Sequence, residues 1–134
     1  MGKSDLRKVV LSVNNDKIKQ DIIKRSLSCI DTDIMLIQAF SGLEALTLLC
    51  EERVDLVMTA LSMPWMSGLD FIRCLRDPEL GRLLNISSLP VMVVSTTPLR
   101  EADILDYSIN DYLMIPASRE IFLEKVTALL SINK

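Results

Sequence analysis

The strongest constraint on the fold is an alternation of short apolar runs with segments of helical periodicity. Five runs have the length and the Val, Ile, Leu and Met content of buried strands, over residues 7–13, 33–39, 55–60, 90–95 and 111–115. Amphipathic helices are predicted over about 16–29, 41–50, 68–76, 97–107 and 118–130, with an irregular stretch from 77 to 89. Strands that alternate with helices join through right-handed crossovers. The sequence therefore predicts an α/β fold with a five-stranded parallel sheet and helices on both faces.

Polar residues at the ends of the apolar runs predict where several helices begin. Ser41 and Glu44 have the Ser-x-x-Glu spacing of a capping box. Ser118 is predicted to cap the last helix. Thr97-Pro98 is predicted to open the fourth helix, with Thr as the cap and Pro at the first helical position.

Composition excludes several classes of protein. The 134 residues suit one domain, with a core predicted from about residue 7 to 132. The net charge is −3 and the Lys and Arg residues are scattered, so binding of nucleic acid is not expected. No apolar run is long enough to span a membrane and the N-terminus lacks the apolar core of a signal peptide, which predicts a cytoplasmic location without membrane contact. The sequence has no histidine, which argues against most hydrolytic and zinc chemistry.

The residues at the predicted carboxyl ends of the strands form the candidate site, because ligands of open α/β sheets bind there. These residues are Asn14, Asn15, Ala60, Ser95 and Ile115. They offer amides, a hydroxyl and apolar groups rather than an acid–base pair, and no strand is followed by a glycine-rich phosphate loop. We therefore expect no enzymatic activity, no metal and no cofactor.

The stretch 55–68, DLVMTALSMPWMSG, resembles the third-strand pattern Asp-Leu-Val-x-x-Asp-x-x-Met-Pro-x-Met-x-Gly of the receiver domains of bacterial response regulators. Met63-Pro64, Met66 and Gly68 fall in register with that pattern. Residues 89–95 and 110–116 resemble the fourth and fifth strands of the same family. The resemblance extends over about 7–132 and implies a flavodoxin-like (βα)5 fold, doubly wound, in a module of two-component signalling.

Four positions depart from the family pattern. The resemblance aligns Asn14 and Asn15 with two acidic residues that help to hold Mg²⁺, Ala60 with the phosphoacceptor aspartate, and Ile115 with the lysine that contacts the phosphoryl group. An aspartyl phosphate requires a carboxylate nucleophile, and Mg²⁺ usually requires at least one carboxylate ligand. The sequence therefore predicts a degenerate receiver domain that is not phosphorylated on aspartate.

Protein binding is the function that the resemblance leaves to such a domain. In the family, phosphorylation draws in a switch hydroxyl and a switch aromatic, here Ser95 and Tyr112, and one face then changes its partners. That face corresponds here to residues 98–107, 111–114 and 118–130. Candidate partner contacts on or near it are Leu99, Tyr107 and Tyr112, and a weak homodimer is an open alternative. Trp65 is interpreted either as an exposed anchor for a partner or as a cover folded over the neutral site.

Two other functions stay open. The chain could bind a small ligand or act as an enzyme on a flavodoxin-like fold, or it could accept phosphate at an unusual residue such as Thr59 or Ser62. A one-place shift in the alignment would put Asp16 in the acidic pair. Even then, Ala60 and Ile115 would remove the acceptor and the cation.

Overall fold

A computed structural model describes residues 7–28 and 34–130. The strands are β1 (Lys8–Val13), β2 (Ile34–Ala39), β3 (Leu56–Thr59), β4 (Val91–Ser95) and β5 (Asp111–Met114). The helices are α1 (Lys17–Leu27), α2 (Gly42–Glu51), α3 (Gly68–Leu75), α4 (Pro78–Leu84), α5 (Glu101–Asp106) and α6 (Arg119–Leu129). The predicted end of the first helix at Cys29, the predicted start of the second strand at Asp33 and the predicted end of the core at Ile132 lie outside the described residues.

The five strands form one parallel sheet in the order β2-β1-β3-β4-β5. This is the doubly wound order of flavodoxin-like folds, in which the chain reverses direction across the sheet between β1 and β3. In the register at this point, Val13 pairs with Ala39 on one side and with Thr59 on the other. The predicted flavodoxin-like α/β class is therefore confirmed.

Helices cover both faces of the sheet because successive strand residues point to opposite sides. Along β1, Val10 belongs to one buried cluster and Leu11 to the other. The first cluster receives Ile23 and Leu27 of α1 and Phe122, Val126 and Leu130 of α6 and its cap. The second receives Ala45 and Leu49 of α2 and Phe71, Ile72 and Leu75 of α3. The candidate site at the end of the sheet thus rests on two separate apolar layers.

The predicted irregular stretch after α3 is wrong, since it contains the short helix α4. Asp77 caps this helix by accepting a hydrogen bond from the backbone N–H of Leu80 at 2.9 Å. Pro78 stands at the first helical position, where its missing N–H costs nothing. Pro78 therefore marks the beginning of a helix within the stretch that was predicted to be irregular.

The predicted start of the fourth helix is also wrong. The helix α5 begins at Glu101, and its N-cap residue Arg100 makes no side-chain capping bond. Thr97 donates its backbone N–H to Ser95 Oγ at 3.0 Å, and the two hydroxyl oxygens lie 3.1 Å apart. Because the Thr97 hydroxyl is engaged with Ser95, it does not cap the helix.

The apolar residues of α1 are not all buried. Ile18 and Ile22 are 72% and 54% exposed, whereas Gln20 is buried beside Ile23 and Leu27. A buried amide is favourable only where it finds hydrogen-bond partners, and those of Gln20 lie at the candidate site. Within residues 7–28 and 34–130, no helix has both the length and the apolar character that a membrane crossing requires.

Candidate functional site at the carboxyl edge of the sheet

The structure brings the predicted site residues to one edge of the sheet, at the ends of β1, β3, β4 and β5. Backbone hydrogen bonds continue the strand pairing beyond the strand ends. Ala60 N–H donates to the carbonyl of Val13 at 3.0 Å, and Ile115 N–H donates to that of Ser95 at 2.8 Å. Asn14 is buried, whereas Asn15 is exposed. The edge therefore gathers Asn14, Ala60, Ser95 and Ile115, and Asn15 faces solvent beside them.

The turn after β1 uses its own polar groups internally. The amide oxygen of Asn14 accepts a hydrogen bond from the backbone N–H of Asp16 at 2.9 Å. The carboxylate of Asp16 caps α1 by accepting from Ile18 N–H and Lys19 N–H at 2.9 and 3.2 Å. The one-place shift in alignment would make Asp16 a metal ligand. In the structure Asp16 is instead the N-cap of α1.

The residues at this edge do not fit the Mg²⁺ ion that the family resemblance implies. Mg²⁺ usually takes one or two carboxylates together with phosphate oxygens and water. Asp16 is the carboxylate next to the Asn14-Asn15 pair, and it is occupied as a helix cap. Over the described ranges, no group of three Cys, Asp or Glu side chains is arranged to hold a metal ion.

Gln20, which the sequence analysis missed, stabilises this edge from the side of α1. Its side chain is 1% exposed. The side-chain NH₂ lies within hydrogen-bond distance of the carbonyls of Ser12, Asn14 and Ala39, at 3.0, 3.1 and 2.9 Å. Its amide oxygen accepts a hydrogen bond from the Ser12 hydroxyl at 2.8 Å. One buried amide therefore joins α1 to the ends of β1 and β2. The i, i+3, i+7 spacing of Gln20, Ile23 and Leu27 was the available sequence signal.

The loop between β3 and α3 packs closely against the end of β3. Gly68 N–H donates to the carbonyl of Leu61 at 2.7 Å. A Cβ at Gly68 would lie 1.9 Å from the carbonyl oxygen of Ala60, a distance that no side chain can occupy. Glycine is therefore required for this close approach of backbone to backbone.

Trp65, Thr59 and Ser62, at the end of β3 and in the loop after it, differ in how far they are exposed to solvent. Trp65 has a positive φ of 71° and a fully exposed side chain, so the interpretation that it covers the neutral site is wrong. Thr59 is 1% exposed, and its hydroxyl donates to the carbonyl of Ala60 at 2.9 Å. Ser62 is exposed. Of the two hydroxyls suggested as unusual phosphate acceptors, Thr59 is thus buried and hydrogen-bonded.

Ser95 at the end of β4 and Ile115 just after β5 are both uncharged. Ser95 is buried, and its hydroxyl is held by Thr97. Ile115 is half-buried and packs against the apolar cluster that α1 and α6 share with the sheet. A cis peptide bond joins it to Pro116. Ile115, which the resemblance aligns with the family lysine, therefore lies in an apolar neighbourhood.

The three predicted partner contacts near α5 differ in exposure. Leu99 is 9% exposed and belongs to the core, so its prediction as a partner contact is wrong. Tyr107 is half-buried and accepts a hydrogen bond from Arg73 Nη2 at 2.9 Å, which raises the pKa of the Arg73 guanidinium. The guanidinium carbon of Arg73 also lies 5.7 Å from the centre of the Tyr107 ring. Tyr112 is half-buried against the core. Two tyrosines therefore stay partly accessible.

Arg76, also missed in the sequence analysis, fixes the C-terminal end of α5. Its guanidinium donates to the carbonyls of Tyr107, Leu89 and Ser108 and to the side-chain oxygen of Asn110, at 3.3, 2.8, 2.9 and 3.2 Å. Burial lowers the pKa of this guanidinium. The cation joins α3 to the last turn of α5 and to the connection that leads into β4.

Comparison with known proteins identifies the family. The model of the response regulator receiver domain matches residues 10–127. The chain belongs to this family. The fold is thus that of a receiver domain of two-component signalling.

Two curated relatives and one solved structure illustrate the similarity of this receiver domain to other proteins. It is 32% identical over 107 residues to the sensor histidine kinase TmoS of Ectopseudomonas mendocina, covering 78% of this chain and 10% of the kinase. It is 31% identical over 123 residues to the response regulator MprA of Mycobacterium sp. strain KMS, covering 90% of this chain and 50% of the regulator. The fold matches that of the chemotaxis protein CheY4 of Vibrio cholerae with a TM-score of 0.78 at 19% identity, covering 92% of this chain and 98% of CheY4. The receiver domain therefore spans only part of the curated relatives that it matches.

Proposed function

We propose that this receiver domain is not phosphorylated on aspartate and signals by binding a protein partner. The observation that carries the proposal is the end of β3, where the strand stops at Thr59 and the next residue is Ala60. A methyl group cannot attack phosphorus, so the position that resembles the family's phosphoacceptor has no nucleophile.

The neighbouring groups support the same conclusion. The amide oxygen of Asn14 and the carboxylate of Asp16 are both occupied by backbone N–H groups. Ile115 supplies no positive charge that could stabilise a developing phosphoryl charge. Nucleophile, metal ligands and counterion are thus all missing from the positions at which the family uses them.

The proposed partner surface consists of α5, β5 and α6, called here the α5–β5–α6 face. Leu105 on α5 is 76% exposed and Met114 on β5 is 45% exposed, so both offer apolar area that a partner could cover. Tyr107 and Tyr112 add two partly accessible aromatic rings, a residue type enriched in binding hot spots. Without a phosphoryl group, only a partner or ligand that binds one conformation more tightly can shift the equilibrium of this face.

We further propose that Trp65 acts as a second anchor for a partner, since an exposed indole buries a large area when covered. We also propose that the domain works in the cytoplasm of a bacterium, within a two-component pathway. Contact between two copies through the α5–β5–α6 face is the alternative partner.

The absence of phosphorylation is tested with a small-molecule phosphate donor. We expect no mass increase after incubation with acetyl phosphate and Mg²⁺. We also expect no change in the backbone amide NMR spectrum when Mg²⁺ and beryllium fluoride, a mimic of the bound phosphoryl group, are added. A covalent phosphate, or amide shifts confined to the surroundings of Asn14, Ala60 and Ser95, would contradict this part of the proposal.

The partner surface is tested with a matched pair of exposed leucines. Leu105→Asp places a charge on the α5–β5–α6 face, whereas Leu83→Asp places the same charge on α4, outside it. Proteins retained from a lysate of the native organism by the immobilised wild-type domain should be lost with Leu105→Asp and kept with Leu83→Asp. Equal retention by both variants would mean that this face is not the partner surface.

A further inference from the structure

A cleft of about 460 Å³ opens beside the carboxyl edge, between α1 and the connection from β5 to α6. Its volume lies within the range of about 300–1,000 Å³ that is typical of small-molecule sites. The cleft is on the opposite side of the sheet from α5. Ile104 of α5 packs with the cluster of α2 and α3, whereas α1 and α6 pack on the other face. It is therefore a separate feature from the exposed residues of α5.

The interior of the cleft is apolar. Its lining includes Ile23, Leu113, Ile115 and Phe122, and the side chain of Ile22, which also lines it, is 54% exposed. Ile115 is decisive, because a lysine in its place would put a flexible cation among these apolar side chains. Ile115, the residue that the resemblance aligns with the family lysine, thus also gives the cleft an apolar lining.

Two cations line the same cleft. Lys19 lies in the first turn of α1 and Arg119 is the first residue of α6, so both stand at the carboxyl edge of the sheet. No Asp or Glu is among the described residues that line the cleft, and neither cation forms a salt bridge with any residue in the described ranges. The cleft is therefore positive at one end and apolar further in, although the whole chain has a net charge of −3.

We propose that this cleft binds a small organic acid that has an apolar body. The carboxylate lies between Lys19 and Arg119, and the body packs over Ile115 and against Phe122. Two cations without acidic partners complement a single anion, and the apolar interior excludes water from the body of the ligand. The cleft shares Leu113 of β5 and Arg119 and Phe122 of α6 with the α5–β5–α6 face. The two proposals are tested separately, because binding of a small acid can be measured without any protein partner.

Octanoate is a suitable probe, with 1-octanol and octylamine as comparators of the same chain length. We expect octanoate to produce saturable amide NMR shifts confined to α1, the β5–α6 connection and the start of α6. Octanol should bind more weakly because it lacks the charge, and octylamine weakest because Lys19 and Arg119 repel it. Absence of saturation with octanoate, or equal binding of all three compounds, would overturn the proposal.

Matched variants localise the binding. Ala117 is exposed and lines the cleft, so Ala117→Trp should fill the cleft and abolish octanoate binding without disturbing the core. Ala102→Trp on the exposed surface of α5 is its control and should bind normally. Lys19→Gln and Arg119→Gln should each weaken octanoate binding roughly two- to fivefold, the usual size for solvent-accessible charge pairs.

Three results would contradict the proposed binding of the acid in this cleft. Octanoate binding that survives Ala117→Trp would exclude the cleft. Unchanged affinity in both glutamine variants would exclude the two cations as the carboxylate site. Amide shifts at the same residues that grow with protein concentration alone would mean that a second copy of the chain covers the cleft.

Discussion

The strand ends at the carboxyl edge and the C-terminal end of α5 differ in charge, since Asn14, Ser95 and Ile115 are neutral whereas Arg76 is a cation. At the carboxyl edge, Asn14 and Ser95 are turned to neighbours in their own loops, and Ile115 offers no charge. At the end of α5, Arg76 is retained although burial lowers its pKa, because it satisfies backbone carbonyls from separate segments. The contrast indicates that a half-buried cation persists where it stabilises the fold. Ile115, which the resemblance aligns with the family lysine, is apolar.

The largest expected effect breaks the carboxyl edge itself. Gly68→Ala puts a Cβ where the carbonyl oxygen of Ala60 lies, so the backbone must shift, and we expect the free energy of unfolding to fall by about 3 kcal/mol. Gly42→Ala is the matched control, since Gly42 also begins a helix but its added Cβ would meet the flexible side chain of Met66. Urea unfolding followed by circular dichroism measures both. Equal losses would mean that the contact with Ala60 is unimportant.

The next largest loss of stability is expected at the C-terminal end of α5. Arg76→Met keeps the aliphatic part of the side chain but leaves the carbonyls of Tyr107, Leu89 and Ser108 without their donor, so we expect a loss of about 2 kcal/mol. Arg82→Met on the exposed surface of α4 is the control and should change stability little. An Arg76 variant as stable as the control would remove the proposed role of this cation.

A smaller effect is expected when the acceptor alone is restored. Ala60→Asp should still take up no phosphate from acetyl phosphate with Mg²⁺, because the metal ligands and the cation remain missing. The control adds Asn14→Asp, Asn15→Asp and Ile115→Lys to the same chain and should incorporate phosphate, as measured by intact mass. Phosphate on the single variant would show that these three positions matter less than we propose.

The smallest expected effect is none at all. Adding Mg²⁺ should leave the urea midpoint of the wild-type domain unchanged, because a ligand stabilises a protein only if it binds the folded state. The same addition should raise the midpoint of the fourfold variant, whose restored carboxylates can bind the ion. A clear upward shift for the wild type would contradict the neutral, metal-free site and weaken the contrast between the two regions.

Much of the fold could be predicted because its signals are local. The runs that became β1 and β4 are apolar and end at polar residues, so their boundaries differ from the structure by one residue. Ser41 and Ser118 cap their helices as predicted, each accepting a hydrogen bond from an N–H three residues later. Such contacts depend only on neighbouring residues, which a pattern within one segment can express.

The rest could not be predicted because it depends on segments that are distant in the chain. Arg76 is separated by 31 residues from Tyr107, so nothing near either residue indicates their contact. Gln20 is inward because carbonyls from β1 and β2 need donors, although Ile18 and Ile22 are more hydrophobic. At the candidate site, the positions were predictable from strand ends, but the internal use of Asp16 and Ser95 was not.

The exposure of Trp65 has a spectroscopic consequence. It is the only tryptophan of the chain, and its indole is already surrounded by solvent in the folded domain. Its fluorescence should therefore change little when the protein unfolds. A blue shift of the emission on mixing with another molecule would report that something has covered the β3–α3 loop. The fluorescence of Trp65 therefore reports on binding at this loop rather than on folding.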